Sequence, residues 1–180
     1  MDKTKKIEIG KSGMVRDDSS LKPRYDLIES DFFEAMADRI DDTGVRHWID
    51  IANDLLKINI NTDLDTFLNL TGDLMKFDAL TNKNCNFEIF IEGNYVHYWH
   101  QLANRLSGGA KHYGENNWKK ANGTEEYKSF IESFVRHAFE VLMDWIDEED
   151  VVGSVMFNCM GLNYMLEKGY IDGDSEYQEL

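Results

Sequence analysis

The chain has 180 residues, enough for one domain with a packed core and too few for several independent ones. Its hydrophobic fraction of 42% supplies that core, and a formal charge of -15 sets up a field that repels nucleic-acid backbones and anionic membranes. Two distant cysteines, Cys85 and Cys159, exclude a disulfide framework and a zinc knuckle, and no apolar run approaches the ~20 residues of a membrane span.

The N-terminal MDKTKKIEIG lacks the apolar stretch of a secretory signal, so a reducing, cytoplasmic setting is expected. Residues 1–18 and 172–180 are polar enough to read as flexible tails. Between them Pro23 is the sole proline and the 3.6-residue apolar period recurs in segment after segment, so the body reads as all-α. A first helix begins after Ser30, turns Phe32, Phe33, Met36, Ala37 and Ile40 inward, and stops within 41–44. Thr43 is the expected cap of a second helix carrying Val45, Trp48, Ile49, Ala52 and Leu56. Thr62 is the expected cap of a third carrying Leu64, Phe67, Leu68, Leu74 and Met75.

The stretch NCNFEIFIEGNYV at 84–96 breaks the pattern. Phe87, Ile89 and Ile91 alternate with Glu88 and Phe90, and Gly93-Asn94 suits a turn, which leaves one short β-hairpin open. Helix resumes from about Tyr95 to Leu106, and Ser107-Gly108-Gly109 reads as a left-handed stop. Two long helices close the chain, one from Thr124 to about Trp145 and one from about Glu148 to Leu166. The few residues between them make the two antiparallel neighbours.

Three features could carry chemistry. The junction DWIDEED at 144–150, with Glu140 one turn earlier, holds enough carboxylate for a magnesium site, although charge alone fits a solvated acidic turn as well. His137 lies on the apolar stripe of Phe130, Phe134 and Val141, and Asn158 on that of Val151, Val155 and Leu162, where buried polar groups must find partners. Each suits a site role or a satisfied core contact. The segment GAKHYGENNW at 109–118 mixes glycine, cationic, aromatic and amide residues, as a loop that stacks a base and contacts phosphate would. Tyr113 and Trp118 could equally plug the core.

Four stretches, SGMVRD at 12–17, LKPRYDLI at 21–28, GAKHYGENNW, and the pair SFVRHAFEVL at 133–142 with DEEDVVGSVMFN at 147–158, together resemble the phage-type dATP/dGTP diphosphohydrolases. These are relatives of the MazG-like all-α nucleoside triphosphate pyrophosphohydrolases. The resemblance implies a single MazG-like helical bundle, with residues from about 42 to 97 inserted. It further implies hydrolysis of a purine deoxynucleoside triphosphate to monophosphate and pyrophosphate with Mg2+ or Mn2+, in a homo-oligomer, dimer or tetramer.

On that likeness Glu140, Glu149 and Asp150 would be the metal ligands, and Lys111, His137 and Asn158 the catalytic residues. Arg24, Asp26, Tyr113, Asn117 and Trp118 would shape the nucleotide pocket. The chain departs from the family pattern at two polar positions: His112 stands where relatives carry the lysine of KYG, and Val151 where they carry histidine after EED. Those departures motivate an alternative expectation, a catalytically lapsed nucleotide-binding protein that sequesters a nucleotide signal as a phage counter-defence sponge.

Overall fold

The computed structural model describes residues 7–9, 15–17, 23–40, 46–81, 96–143 and 151–171, of which 7–9, 15–17 and 37–40 are described as backbone alone. Its body is helical: α1 (Ser30–Ile40), α2 (Trp48–Leu55), α3 (Leu64–Thr81), α4 (Val96–Tyr113), α5 (Thr124–Met143) and α6 (Val151–Glu167), with 3-10 turns at Tyr25–Leu27 and Asn117–Lys120. The fold is therefore all-α, as the apolar period predicts. Within the N-terminal stretch read from sequence as a flexible tail, β1 (Ile7–Ile9) and β2 (Val15–Asp17) pair antiparallel, with Glu8 opposite Arg16. Most of the 84–96 segment, where a hairpin was left open, and the acidic junction at 144–150 lie outside the described residues.

The core is organised around α6, whose Val152, Val155, Met156, Cys159, Met160, Leu162 and Met165 are all buried. A helix apolar on every side belongs at the centre of a bundle, and α6 accordingly packs against α5, α4, α3 and α1. Two glycines let it approach closely. A Cβ at Gly153 would meet the Gln101 backbone at 2.8 Å, and one at Gly161 would meet the Phe130 ring at 2.6 Å. Trp118, just before α5, reaches Tyr164 near the end of α6, so α5 and α6 run antiparallel as their short connection requires.

Although the resemblance treats 42–97 as an insertion, α3 is built into this same core. Phe67, Leu70, Leu74 and Met75 are fully buried, and the Phe67 ring stands edge-on to Phe134 at 5.2 Å. Each such side chain contributes about 1.5–3 kcal/mol on burial.

Helix ends differ from expectation where a neighbour offers a better hydrogen bond. The α3 cap is Asp63, not Thr62: Asp63 Oδ1 accepts from the Thr66 amide at 2.7 Å, while the Thr62 hydroxyl accepts from the Asn59 amide at 2.9 Å. Those bonds hold the Asp63 carboxyl below the usual carboxylate range. At α2, the His47 side chain accepts from the Ile49 amide at 3.4 Å, and Thr43 lies outside the described residues.

The larger correction concerns α4. It runs through Gly108 and Gly109 without a break and stops at Gly114, whose φ is 92° and whose amide donates to the Ala110 carbonyl at 3.0 Å. A single 5→1 bond to a left-handed residue is a standard helix stop. Within the helix the Ser107 hydroxyl donates back to the Ala103 carbonyl at 2.8 Å. Among the described residues no helix is long and apolar enough to cross a membrane.

Candidate functional site

Because α4 continues past Ser107, Arg105, Gly108, Gly109 and His112 fall at i, i+3, i+4 and i+7 and share one face. That face forms one wall of a groove of about 510 Å³, closed opposite by the 3-10 turn Asn117–Lys120 and by Phe157 of α6. The turn is launched by Gly114 and by Asn116, which adopts a left-handed φ of 54°, a conformation asparagine tolerates better than most residues. This backbone reversal swings Trp118 against α6. There its ring packs edge-to-face on Tyr164 at 5.2 Å and on Phe157 at 6.1 Å.

The lining joins aromatic, amide and cationic groups. Tyr113, Trp118 and Phe157 supply rings, Asn104, Asn116 and Asn117 supply amides, and Arg105 supplies a guanidinium. The Arg105 guanidinium carbon lies 5.8 Å from the Phe157 ring centroid, within the range of a cation–π contact. Lys119 backs the Trp118 wall, with Nζ 5.5 Å from that ring, and forms an ion pair with Glu29.

Of the residues implied by resemblance, Tyr113, Asn117 and Trp118 line the groove together. Asn117 Oδ1 accepts from Lys120 Nζ at 2.9 Å. Lys111 is exposed on the last turn of α4 and is not part of the lining.

Arg24 and Asp26 are not part of the lining and are turned toward each other. The Arg24 guanidinium forks onto the Asp26 carboxylate, with Nε and Nη2 each at 2.7 Å, and its Nη1 reaches Glu115 at 2.6 Å. These pairs raise the Arg24 pKa and hold Asp26 below the carboxylate range. The Arg24 amide also donates to the Ser107 hydroxyl at 2.8 Å. Arg24 thus latches the N-terminal turn, with groove-lining Leu27, onto α4.

His137 and Glu140 form a half-buried pair on α5, with Nδ1 2.6 Å from a carboxylate oxygen. Arg136 Nη1 approaches the other oxygen at 3.4 Å. Burial pushes the His137 pKa below its ordinary 6.5, against the pull of Glu140, and the charges of Arg136 and Arg105 add to the lowering.

Asn158 is buried and donates its amide to the Ser154 carbonyl on its own helix at 2.8 Å. Among the described residues no three His, Cys, Asp or Glu side chains converge to hold a metal. Of the three carboxylates expected to do so, Glu149 and Asp150 lie outside those residues and only Glu140 is placed.

Sequence reasoning missed Asn104, Arg105, Gly108 and Phe157, and read Gly109 as the start of a loop where it lies on a helix face. The signal was present as the i, i+3, i+4, i+7 spacing of 105, 108, 109 and 112, hidden by reading the glycine pair as a stop. Comparison of the chain with family models, with characterised proteins and with solved structures finds no match.

Proposed function

We propose that the protein binds a purine deoxynucleoside triphosphate with its base in this groove and hydrolyses it to monophosphate and pyrophosphate, on a MazG-like helical framework. The supporting observation is the groove itself. Its volume of about 510 Å³ falls inside the roughly 300–1,000 Å³ typical of small-molecule sites. Its rings can stack a heterocycle, its amides can hydrogen-bond the heterocycle's edge, and Arg105 places positive charge beside it in a molecule whose formal charge is -15.

His137 supplies the proton acceptor. A carboxylate only accepts, so the ring proton shared with Glu140 sits on Nδ1, and Nε2 is left as the basic nitrogen. A ring kept neutral by burial can take a proton from water near neutral pH. Glu140, with Glu149 and Asp150, offers the hard oxygen donors that Mg2+ or Mn2+ prefers. Such an ion, when bound, neutralises phosphate charge and lowers the pKa of water.

A second reading, binding without turnover so as to sequester a nucleotide signal, draws on His112. It lines the groove at the position where the related family carries lysine. Incubating the protein with each deoxynucleoside triphosphate and Mg2+ decides between the two. The first predicts monophosphate plus pyrophosphate, with Trp118→Ala raising KM about tenfold through lost base stacking of ~1–3 kcal/mol. Recovery of bound, intact nucleotide supports the second, and neither product nor binding with any nucleotide removes both.

A further inference from the structure

We infer that Gly108 and Gly109 are specificity-determining residues: their bare helical backbone is the flat floor against which the ligand's heteroaromatic ring lies, while its phosphates remain outside the groove. This rests on the groove being the nucleotide site, and it says which part of the nucleotide the groove reads.

The glycines of the chain differ in what they are for. Gly114 and Gly169 have φ of 92° and 65°, a left-handed backbone that disfavours any side chain. Gly153 and Gly161 lie where a Cβ would collide with Gln101 or Phe130. Gly108 and Gly109 meet neither condition. Both are helical, and a Cβ built on either has nothing within 4 Å. Glycine in a helix interior weakens the helix relative to alanine, so two in succession cost stability that neither conformation nor packing requires. What distinguishes them is position: both line the groove. A methyl group at either would stand in that open space and hold a planar ring away from α4.

Charge places the other end of the ligand. A polyphosphate needs several donors or cations, whereas among the described residues Arg105 is the one lysine or arginine in the lining, and its guanidinium is engaged over Phe157. Glu115 adds negative charge just outside, paired with Arg24. The groove therefore suits an uncharged aromatic base and does not suit the phosphate chain.

The test uses the full chain in chelator, so that nothing turns over. Thermal stability and binding of deoxyadenosine, deoxyguanosine, their triphosphates and inorganic tripolyphosphate are measured for the wild type, Gly108→Ala, Gly109→Ala, Gly109→Leu and Trp118→Ala. Alanine at either glycine should raise Tm by about 2–4 °C and weaken nucleoside binding. Leucine at 109 should weaken it tenfold or more, and tripolyphosphate should not compete.

A rise in Tm with unchanged nucleoside affinity overturns the inference, as does tripolyphosphate competing as well as the nucleoside. If Trp118→Ala weakens binding and the glycine variants do not, the groove reading stands and this one falls. If the wild type binds neither nucleoside nor nucleotide, the groove reading falls and takes this one with it.

Discussion

At His137 a contact with Glu140 sets the tautomer while burial sets the pH dependence. Its Nδ1 lies 2.6 Å from Glu140, with a side-chain exposure of 13%. Burial is the largest influence on the ring, followed by the opposing hydrogen bond from Glu140 and then the repulsion of Arg136. The folded-state pKa is thereby below the ordinary 6.5 that the unfolded chain retains. In the window just below 6.5 the unfolded state binds more protons than the folded one. The contribution of His137 is complete above that value and is lost as pH falls through it toward the folded pKa. Urea midpoints measured across this range should decline with acidification in the wild type and decline less in His137→Gln. Parallel curves would mean that the ring does not titrate differently in the folded protein.

At the same scale, the apolar stripe placed Asn158 among the buried polar residues correctly, whereas His137, read the same way, is only half-buried. The sequence could not show that the Asn158 amide bonds back to Ser154 on its own helix and that Arg24 and Asp26 spend their charges on each other and on Glu115. Those partners are chosen by rotamer and tertiary position, which spacing does not encode.

The element that most constrains the fold is α6, because it is enclosed on all sides and its two close approaches depend on glycine. Gly161→Ala brings a methyl group to 2.6 Å from the Phe130 ring, and overpacking of this kind costs about 1–3 kcal/mol. Chemical denaturation should show that loss in Gly161→Ala and partial recovery when Phe130→Leu is added, since leucine vacates the ring positions. A Gly161→Ala protein as stable as the wild type would mean that the α5–α6 spacing is looser than described.

Helix existence was legible in the apolar period, which predicted all six of α1 to α6 and the antiparallel closing pair, but the buried face was not always: Phe33, Trp48, Ile49 and Leu56, read as facing inward, are exposed, and α2 buries Ile51 and Leu55 instead. Helix ends were less legible, since a cap is decided by which of two adjacent residues reaches an amide. Thr62 yielded to Asp63 on that ground. Reading Gly108 and Gly109 as a stop shortened α4 by seven residues, from Leu106 to Tyr113, and opened into a loop what is a helix wall. Local glycine preference lost because the left-handed turn that ends the helix is provided further on, by Gly114.

At the level of the whole molecule, a formal charge of -15 on 180 residues opposes compaction by self-repulsion. Any added salt should relieve that repulsion by screening, which makes a rise in Tm with salt uninformative by itself. A divalent cation held by specific carboxylates adds a second effect, stabilisation by mass action, worth about 2.7 kcal/mol at one hundred times its Kd. The two separate at matched ionic strength, because screening by NaCl and MgCl2 is then nearly equal while only MgCl2 can occupy a site. Mg2+ should therefore raise Tm several degrees beyond Na+, and Glu140→Gln should remove much of that excess while leaving the response to NaCl intact. Coincident NaCl and MgCl2 curves would take Glu140 out of any metal site, and with it the metal-dependent chemistry proposed for this chain. The proposal that the groove lined by Trp118, Phe157 and α4 binds a nucleoside would stand independently of that outcome.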